Sequence, residues 1–375
     1  MSSYSTGQGF CNALLIHMEA LAKQAYGAFK LDRFGSIECL TAPSNQSAIS
    51  IVNESITGNS GHIRALDYWY RRRNTIDEVR DSPECIYDAD EGRLEGTIII
   101  DQYAELGFSM SEETIAQYCI DASQVENWLN SGAPGQPPIT GKMNEVMQVV
   151  MGTMNAMLAS VEINAANFIA SSFGNNLGNS PSSPTAISLP FLYSATNLPV
   201  YKGMSDLRHQ FSFLNNQEGL PQIVGGGIFD KYNASNPFFG LNLGGIDMGK
   251  TVTPKQYDYY PSNYAPTEFG GDNNFAVLAP NSAMMFNRVR NKGSFGGLKA
   301  DGSYYGYFPA PLQSGNKMFD FDIVFQGNYC GNATREIQIL LSFDYGFWAI
   351  PNDAYKSADR LSGVTGVFEY VATAI

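Results

Sequence analysis

The sequence predicts an α+β chain in which one long helix separates a run of antiparallel strands from a loop-rich mixed region. Three observations carry that prediction. Residues 143–168 place an apolar side chain every three or four positions, the helical period. Residues 49–110 hold β-branched and aromatic runs separated by polar or glycine-containing segments, as strands do. From residue 186 to 307 Gly, Asn, Tyr and Pro dominate, and clear strand-like runs return after it.

Each element is argued from its own residues. Phe10–Phe29, "FCNALLIHMEALAKQAYGAF", reads as an amphipathic helix or N-terminal arm. "SAISIVN", "HIRALDYWYRRR", "ECIYD" and "GTIIIDQYAELGFSM" read as strands, the last as one run, with "DADEGRLEG" from Asp88 as a turn before it. Ser111-Glu112-Glu113 marks a helix start, because carboxylates in a first turn oppose the positive end of the helix dipole. That helix ends at "GAPGQPP", Gly132 to Pro138. After Thr140, the stripe Met143, Met147, Val150, Met154, Met157, Val161, Ala165 and Phe168 lies on one face of a helix. At about 30 residues and 1.5 Å per residue the helix is roughly 45 Å long. It stops at "GNNLGNSPSSP", where Gly174 and Asn175 are expected in left-handed cap conformations and Pro181 and Pro184 prevent a restart. "NNFAVLAPNSAMMFNRVRN" reads as a short strand entering a helix opened by Pro280-Asn281-Ser282. "KMFDFDIVF", "REIQILLSFDYGFWAI" and the tail "GVTGVFEYVATAI" read as strands, and there is no internal repeat.

Composition narrows the function. The chain has 375 residues, 44% of them apolar, enough for one large or two ordinary cores. Its 36 acids against 23 bases, a net charge of -13, exclude a general nucleic-acid binder and a polybasic membrane-surface protein. Charged residues are 16% of the chain, below the usual quarter or so, with 21 Tyr and 23 Phe in their place. Such a surface suits contact with other protein, and a secreted sugar-binding protein shares it. Cys11, Cys39, Cys85, Cys119 and Cys330 are odd in number and scattered, so they read as reduced, mostly buried thiols. The N-terminus has no basic region, and His17 and Glu19 interrupt its apolar patches, so no secretory signal is expected. No run is expected to reach the 18 or so apolar residues of a membrane span, and maturation in cytoplasm is expected.

The chemistry-bearing motifs weaken on inspection. "GGIDMGKT", Gly244–Thr251, matches the phosphate-loop pattern. Such a loop needs a buried strand before it and a helix after it, so that backbone N–H groups face the phosphates. Here Thr251-Val252-Thr253 leads to Pro254, which would break that helix, and the upstream "NPFFGLNLGG" is a poor buried strand. The match is read as chance; loss of nucleotide binding in Lys250→Ala would reinstate the ATPase reading. In "DADEGRLEG" Gly92 comes one position early for a calcium loop and no Glu stands twelfth. His17, His62 and His209 are too far apart for a zinc motif. Glu112-Glu113 and Asp320 with Asp322 are read as helix-start charge and a solvated strand face rather than a glycosidase pair. "GGG" at Gly225 is read as a flexible turn. No catalytic residue, metal ligand or cofactor is expected. "DYWYRRRN", Asp67 to Asn74, is the one cluster read as functional: Trp69, Tyr70, Arg71, Arg72 and Arg73 are the residue types that anchor interfaces. Asp77, Glu78 and Asp81 follow at once and disfavour a nucleic-acid role.

This succession resembles the major capsid proteins of tailed bacteriophages, the HK97-like fold. "HIRALDYWYRRRNTIDEVRDSPECIYD" with "RLEGTIIIDQYAELGFSMSEETI" look like the limbs of that family's extended loop. "MNEVMQVVMGTMNAMLASVEINAANFIASSF" looks like its spine helix, and "NNFAVLAPNSAMMFNRVRN" like strand and helix of its axial domain. The likeness implies an N-terminal arm over residues 1–48 and an extended loop with return strands over 49–110. It implies a peripheral domain with the spine helix over 111–185 and 336–375, and an axial domain over 186–335. It further implies self-assembly into pentamers and hexamers of an icosahedral shell enclosing double-stranded DNA without sequence-specific binding, in a virion assembled in host cytoplasm. A separate scaffolding protein, a portal and a decoration protein are its implied partners, with no membrane. The acidic balance suits a container lining that repels packaged DNA. Other readings from the sequence are a nanocompartment shell or another virion part, and a secreted carbohydrate-binding protein or glycosidase.

Overall fold

The structure is a computed structural model. It describes residues 3–23, 31–47, 49–57, 63–71, 93–132, 135, 137–177, 187–189, 206–225, 242–243, 246–247, 257–289, 297–298, 304–311, 318–328, 336–351 and 361–372. The chain is α+β and divides into two compact units. The first holds residues 1–32, 102–160 and 287–345, the second 33–101, 161–286 and 346–375.

The helices are α1 (Ser3–Lys23), α2 (Gly35–Leu40), α3 (Glu112–Ser131), α4 (Gly141–Ser171) and α5 (Ala265–Glu268). The strands are β1 (Ser50–Thr57), β2 (Ile63–Arg71), β3 (Arg93–Ile100), β4 (Gln102–Ser111), β5 (Ile187–Leu189), β6 (Gln222–Gly225), β7 (Asn242–Leu243) and β8 (Ile246–Asp247). They continue with β9 (Asp258–Pro261), β10 (Asn274–Leu278), β11 (Ala283–Arg288), β12 (Gly297–Leu298), β13 (Tyr304–Pro311), β14 (Met318–Asn328), β15 (Glu336–Ala349) and β16 (Val367–Ala372).

In the first unit α1 begins at Ser3, earlier than its apolar spacing suggested, and buries Phe10, Cys11, Ala13, Leu14, His17 and Ala20. These positions recur every three or four residues and form one face. Phe10 packs on Tyr118 of α3 and edge-on against Phe325 of β14, with centroids 5.4 and 5.3 Å apart. α3 starts where its charges place it: the Ser111 hydroxyl accepts the Thr114 N–H at 3.2 Å, an N-cap. It ends at Gly132, whose φ of 62° favours glycine. Antiparallel strands run in the order β4-β15-β14-β13-β12, and Phe319, Phe321 and Phe343 pack edge-on or tilted at 4.8 to 5.5 Å within this sheet.

α4 is one unbroken helix of 31 residues. Thr140 caps it, accepting the Met143 N–H at 3.1 Å while donating to Asp121 at 2.9 Å. The expected stripe is buried from Met143 to Ala165, Phe168 is half-buried, and Val146, Leu158, Glu162, Ala166 and Ile169 widen it. α4 therefore is long and apolar enough to cross a bilayer by length and composition, contrary to the expectation that no segment reaches that mark. Its apolar stripe is buried in protein, while Glu145, Gln148, Asn164 and Asn167, with Val149 and Ile163, are exposed on the other side. Past its end neither Gly174 nor Asn175 is left-handed, which corrects the expected cap. Gly174 is needed for close approach instead: it donates to Val367 O at 2.9 Å, and a Cβ there would lie 2.4 Å from Thr365 Oγ1. The positive φ values fall on Gly363 and Gly366, the facing turn.

The second unit is built on a five-stranded sheet, β5-β16-β10-β6-β9, antiparallel about β10 with parallel pairs at its two edges. A three-stranded antiparallel sheet, β1-β2-β3, belongs to the same unit. The run "GTIIIDQYAELGFSM" is thus two strands, β3 and β4, in different sheets with Asp101 between them. Residues 283–286 form strand β11, not the expected helix. Asn281 is left-handed at φ 64° and its N–H goes to Asn45 Oδ1 at 2.8 Å, so the chain turns there. The four residues Ala283, Met284, Met285 and Phe286 are all buried, which a strand covered on both faces accommodates.

Candidate functional site

The hairpin β2–β3 pairs Trp69 with Glu95, Asp67 with Thr97 and Ala65 with Ile99. Side chains alternate across a strand, so these six share one face and Leu66, Tyr68, Tyr70, Ile98 and Ile100 share the other. The second face is sealed within its own unit. Leu66, Tyr70, Ile98 and Ile100 join a buried cluster with Trp348, Phe275, Phe368 and Tyr370. Tyr68 meets the Trp348 ring edge-on at 5.8 Å, and Tyr70 lies tilted on it at 6.0 Å. On the first face Ala65 is buried, but Trp69 keeps 37% and Ile99 55% of their surface exposed, and the Thr97 hydroxyl donates to Asp67 at 2.8 Å.

The sequence cluster is therefore divided by the pleat. Trp69 is on the outward face; Tyr70 is packed inside the chain, so its ring is an internal anchor rather than a surface contact. Arg71 ends β2 opposite Arg93, and Arg72 and Arg73 lie outside the described residues. Alternation alone puts adjacent strand residues on opposite faces; which face looks outward is decided by what packs against the hairpin.

The remaining motifs resolve as follows. Within "GGIDMGKT" the described residues are Ile246 and Asp247, which pair with Leu243 and Asn242 in a short hairpin. Lys250 and Thr251 lie outside the described residues, as do His62, Cys85, Cys330, Gly92 and "ECIYD". Glu112 and Glu113 stand in the first turn of α3. Asp320 is half-buried, and Asp322, read as part of a solvated face, is 2% exposed, as is Asp344 of the neighbouring strand. Phe321 and Ile323 are buried on one face of β14 and Asp322 on the other, so the strand is covered on both faces at this point. Among the described residues no group of three or more His, Cys, Asp or Glu is placed to hold a metal.

Cys11, Cys39 and Cys119 are in no disulfide, and the Cys39 thiol donates to Gln222 at 3.5 Å. Burial, aided by the nearby Cys119, pushes the Cys11 thiol up to about 12, and burial pushes Cys119 up to about 11. Neither is a thiolate near neutral pH, so neither is an activated nucleophile. His17 is fully buried, with Nδ1 3.0 Å from the Tyr118 hydroxyl and Nε2 without a hydrogen-bond partner; burial lowers it to about 4. His209 stacks on the exposed Phe213 at 5.2 Å.

Sequence reading missed Glu162. It is fully buried on α4 and accepts the Ser36 and Ile37 N–H groups at 2.8 and 2.9 Å and the Ser262 hydroxyl at 2.6 Å. Its signal was available: Leu158, Glu162, Ala166 and Ile169 recur at helical spacing, so a glutamate stands inside the apolar stripe.

The sequence matches no protein-family model and no curated protein. Among solved structures the chain is similar to the capsid of cyanophage A-1(L), at 9% identity, covering 88% of this chain and 93% of that one, with a TM-score of 0.43. It is similar to the capsid of Ralstonia phage GP4 at 10% identity, covering 93% of each chain, with a TM-score of 0.40. A virus-like particle from Pyrococcus furiosus is similar at 9% identity, covering 90% of this chain and 96% of that one, with a TM-score of 0.34.

Proposed function

We propose that the chain is a major capsid protein of the HK97-like kind, a structural rather than catalytic subunit that self-assembles into an icosahedral shell enclosing double-stranded DNA. The observation that carries the reading is the unbroken α4 preceded by a hairpin with one anchored face and one outward face bearing Trp69 and Ile99. A chain of low charge content that offers an aromatic outside its own core is suited to contacts with copies of itself. In this reading residues 1–48 form an arm, 49–110 reach for a neighbour, 111–185 and 336–375 make the peripheral domain, and 186–335 make the axial domain. Trp69, with Arg71, Arg72 and Arg73, touches an adjoining subunit. Rings of five and six repeat one heterologous contact until the shell closes. A scaffolding protein, a portal and a decoration protein are the proposed partners, the virion the proposed location and host cytoplasm the place of assembly. The net charge of -13 supports a lining that does not grip DNA.

Electron microscopy of the expressed protein, alone and with its neighbouring gene products, tests this. Closed shells or capsomer rings are expected. Trp69→Ala is expected to raise the concentration needed for assembly by about thirtyfold, the effect of losing roughly 2 kcal/mol at an interface hot spot, without altering the monomer's circular dichroism. A wild-type chain that stays monomeric at high concentration in both settings would overturn the reading.

A further inference from the structure

The Glu162 carboxyl lies where three elements of one unit meet: α4, which carries it, the first turn of α2, and the chain leaving β9. α2 is seated closely. A Cβ on Gly35 would lie 2.4 Å from Tyr260 O and 2.7 Å from Pro261 O, both carbonyls of β9. Ser262 is committed on every side, since its oxygen already accepts the Tyr264 and Ala265 N–H groups while its hydroxyl donates to Glu162.

A carboxylate taken from water into a site without a countercharge is disfavoured, and hydrogen bonds offset only part of the cost. The titratable groups on the elements around Glu162 are Glu38 and Cys39 of α2, Asp258 and Tyr260 of β9, and Glu268 of α5. All are acids or weak acids; α2, β9, α5 and residues 155–171 of α4 carry no Lys, Arg or His. Arg33, just before α2, is exposed. The buried Ser36 hydroxyl acts in the same direction as the three donors to Glu162, favouring the ionised form, and burial outweighs them together.

We propose that Glu162 is a proton-operated latch for α2: protonated, it keeps α2 docked on α4 and β9, and loss of the proton weakens that docking. The free segment would leave Glu162 in water, where the ionised form is favoured, so the docked state binds the proton more tightly than the undocked one. Burial raises Glu162 to about 7 against the opposing hydrogen bonds from Ser262, Ile37 and Ser36, which places the change near neutrality. Stability from this group is complete below its ordinary carboxyl range and is lost as pH rises toward 7. The latch does not depend on whether the chain assembles.

Hydrogen exchange at the Ser36 and Ile37 amides of the full-length protein, corrected for the chemical rate at each pH, reads the latch directly. Opening of α2 is expected to increase about thirtyfold between pH 5.5 and 8.5, while the β10 amides of the same unit stay unchanged. Glu162→Gln should abolish that rise. A flat wild-type profile, a rise shared by β10, or a rise retained in Glu162→Gln would overturn the proposal. Should Glu162→Gln not fold, Ser36→Ala serves: without a hydroxyl that favours the ionised form, the rise must begin at higher pH, and an unmoved midpoint would count against the latch.

Discussion

Trp348→Ala is expected to destabilise the protein by about 3–5 kcal/mol and to loosen the hairpin that carries Trp69, although Trp348 is not on that hairpin. The indole is 5% exposed and takes Tyr68 and Tyr70 on its ring, so its removal opens a cavity under β2 and β3. Its Nε1 makes no hydrogen bond, which leaves packing as the source of the effect. Trp348→Phe should therefore recover most of the loss. Guanidinium unfolding gives the magnitude, and hydrogen exchange across Leu66–Tyr70 should show the weakened protection. A loss below about 1 kcal/mol would mean that the hairpin is held by something else.

The second large effect is acid loosening of α1. His17 is held neutral by burial at about 4, below its ordinary 6.5, and its single hydrogen bond is to Tyr118. The depressed value means that the folded state resists protonation. The associated stability is present above pH 6.5 and is lost as pH falls toward 4. Between pH 7 and 4.5 the loss is about 2 kcal/mol. Urea unfolding at the two pH values, with limited proteolysis across residues 3–23, measures it. His17→Gln keeps a partner for the Tyr118 hydroxyl and does not titrate, so its acid limb should be flatter by that amount. Equal acid sensitivity in both proteins would place the titrating group elsewhere. The expected sign is opposite to that at Glu162, whose contribution is lost on the alkaline side.

Where sequence and structure agree, the signal was local. The stripe from Met143 to Ala165 is a helical period that needs no partner to be recognised, and Thr140 and Ser111 announce their helices through their own hydroxyls. Where they differ, something distant intervened. Residues 283–288 are strand β11, and the turn before it, at Asn281, is tied to Asn45, 236 residues earlier in the chain. Gly174 and Asn175 stayed out of left-handed conformations because the facing turn supplies Gly363 and Gly366. Of the candidate interface, the aromatic pair was legible as a pair, but its division into an outward Trp69 and an inward Tyr70 waited on Trp348.

The sequence by itself determined that this is an α+β chain of low charge content, with one long amphipathic helix between an antiparallel run and a strand-rich end. Periodicity and capping are properties of neighbouring residues, so they survive without tertiary context. Only the tertiary structure decided that Glu162 receives three donors from α2 and β9's exit, that Asp322 is buried, and which face of the hairpin looks outward. Those outcomes depend on what lies across the packed interface, and a buried carboxyl acquires its character from donors and missing water rather than from its neighbours in the chain.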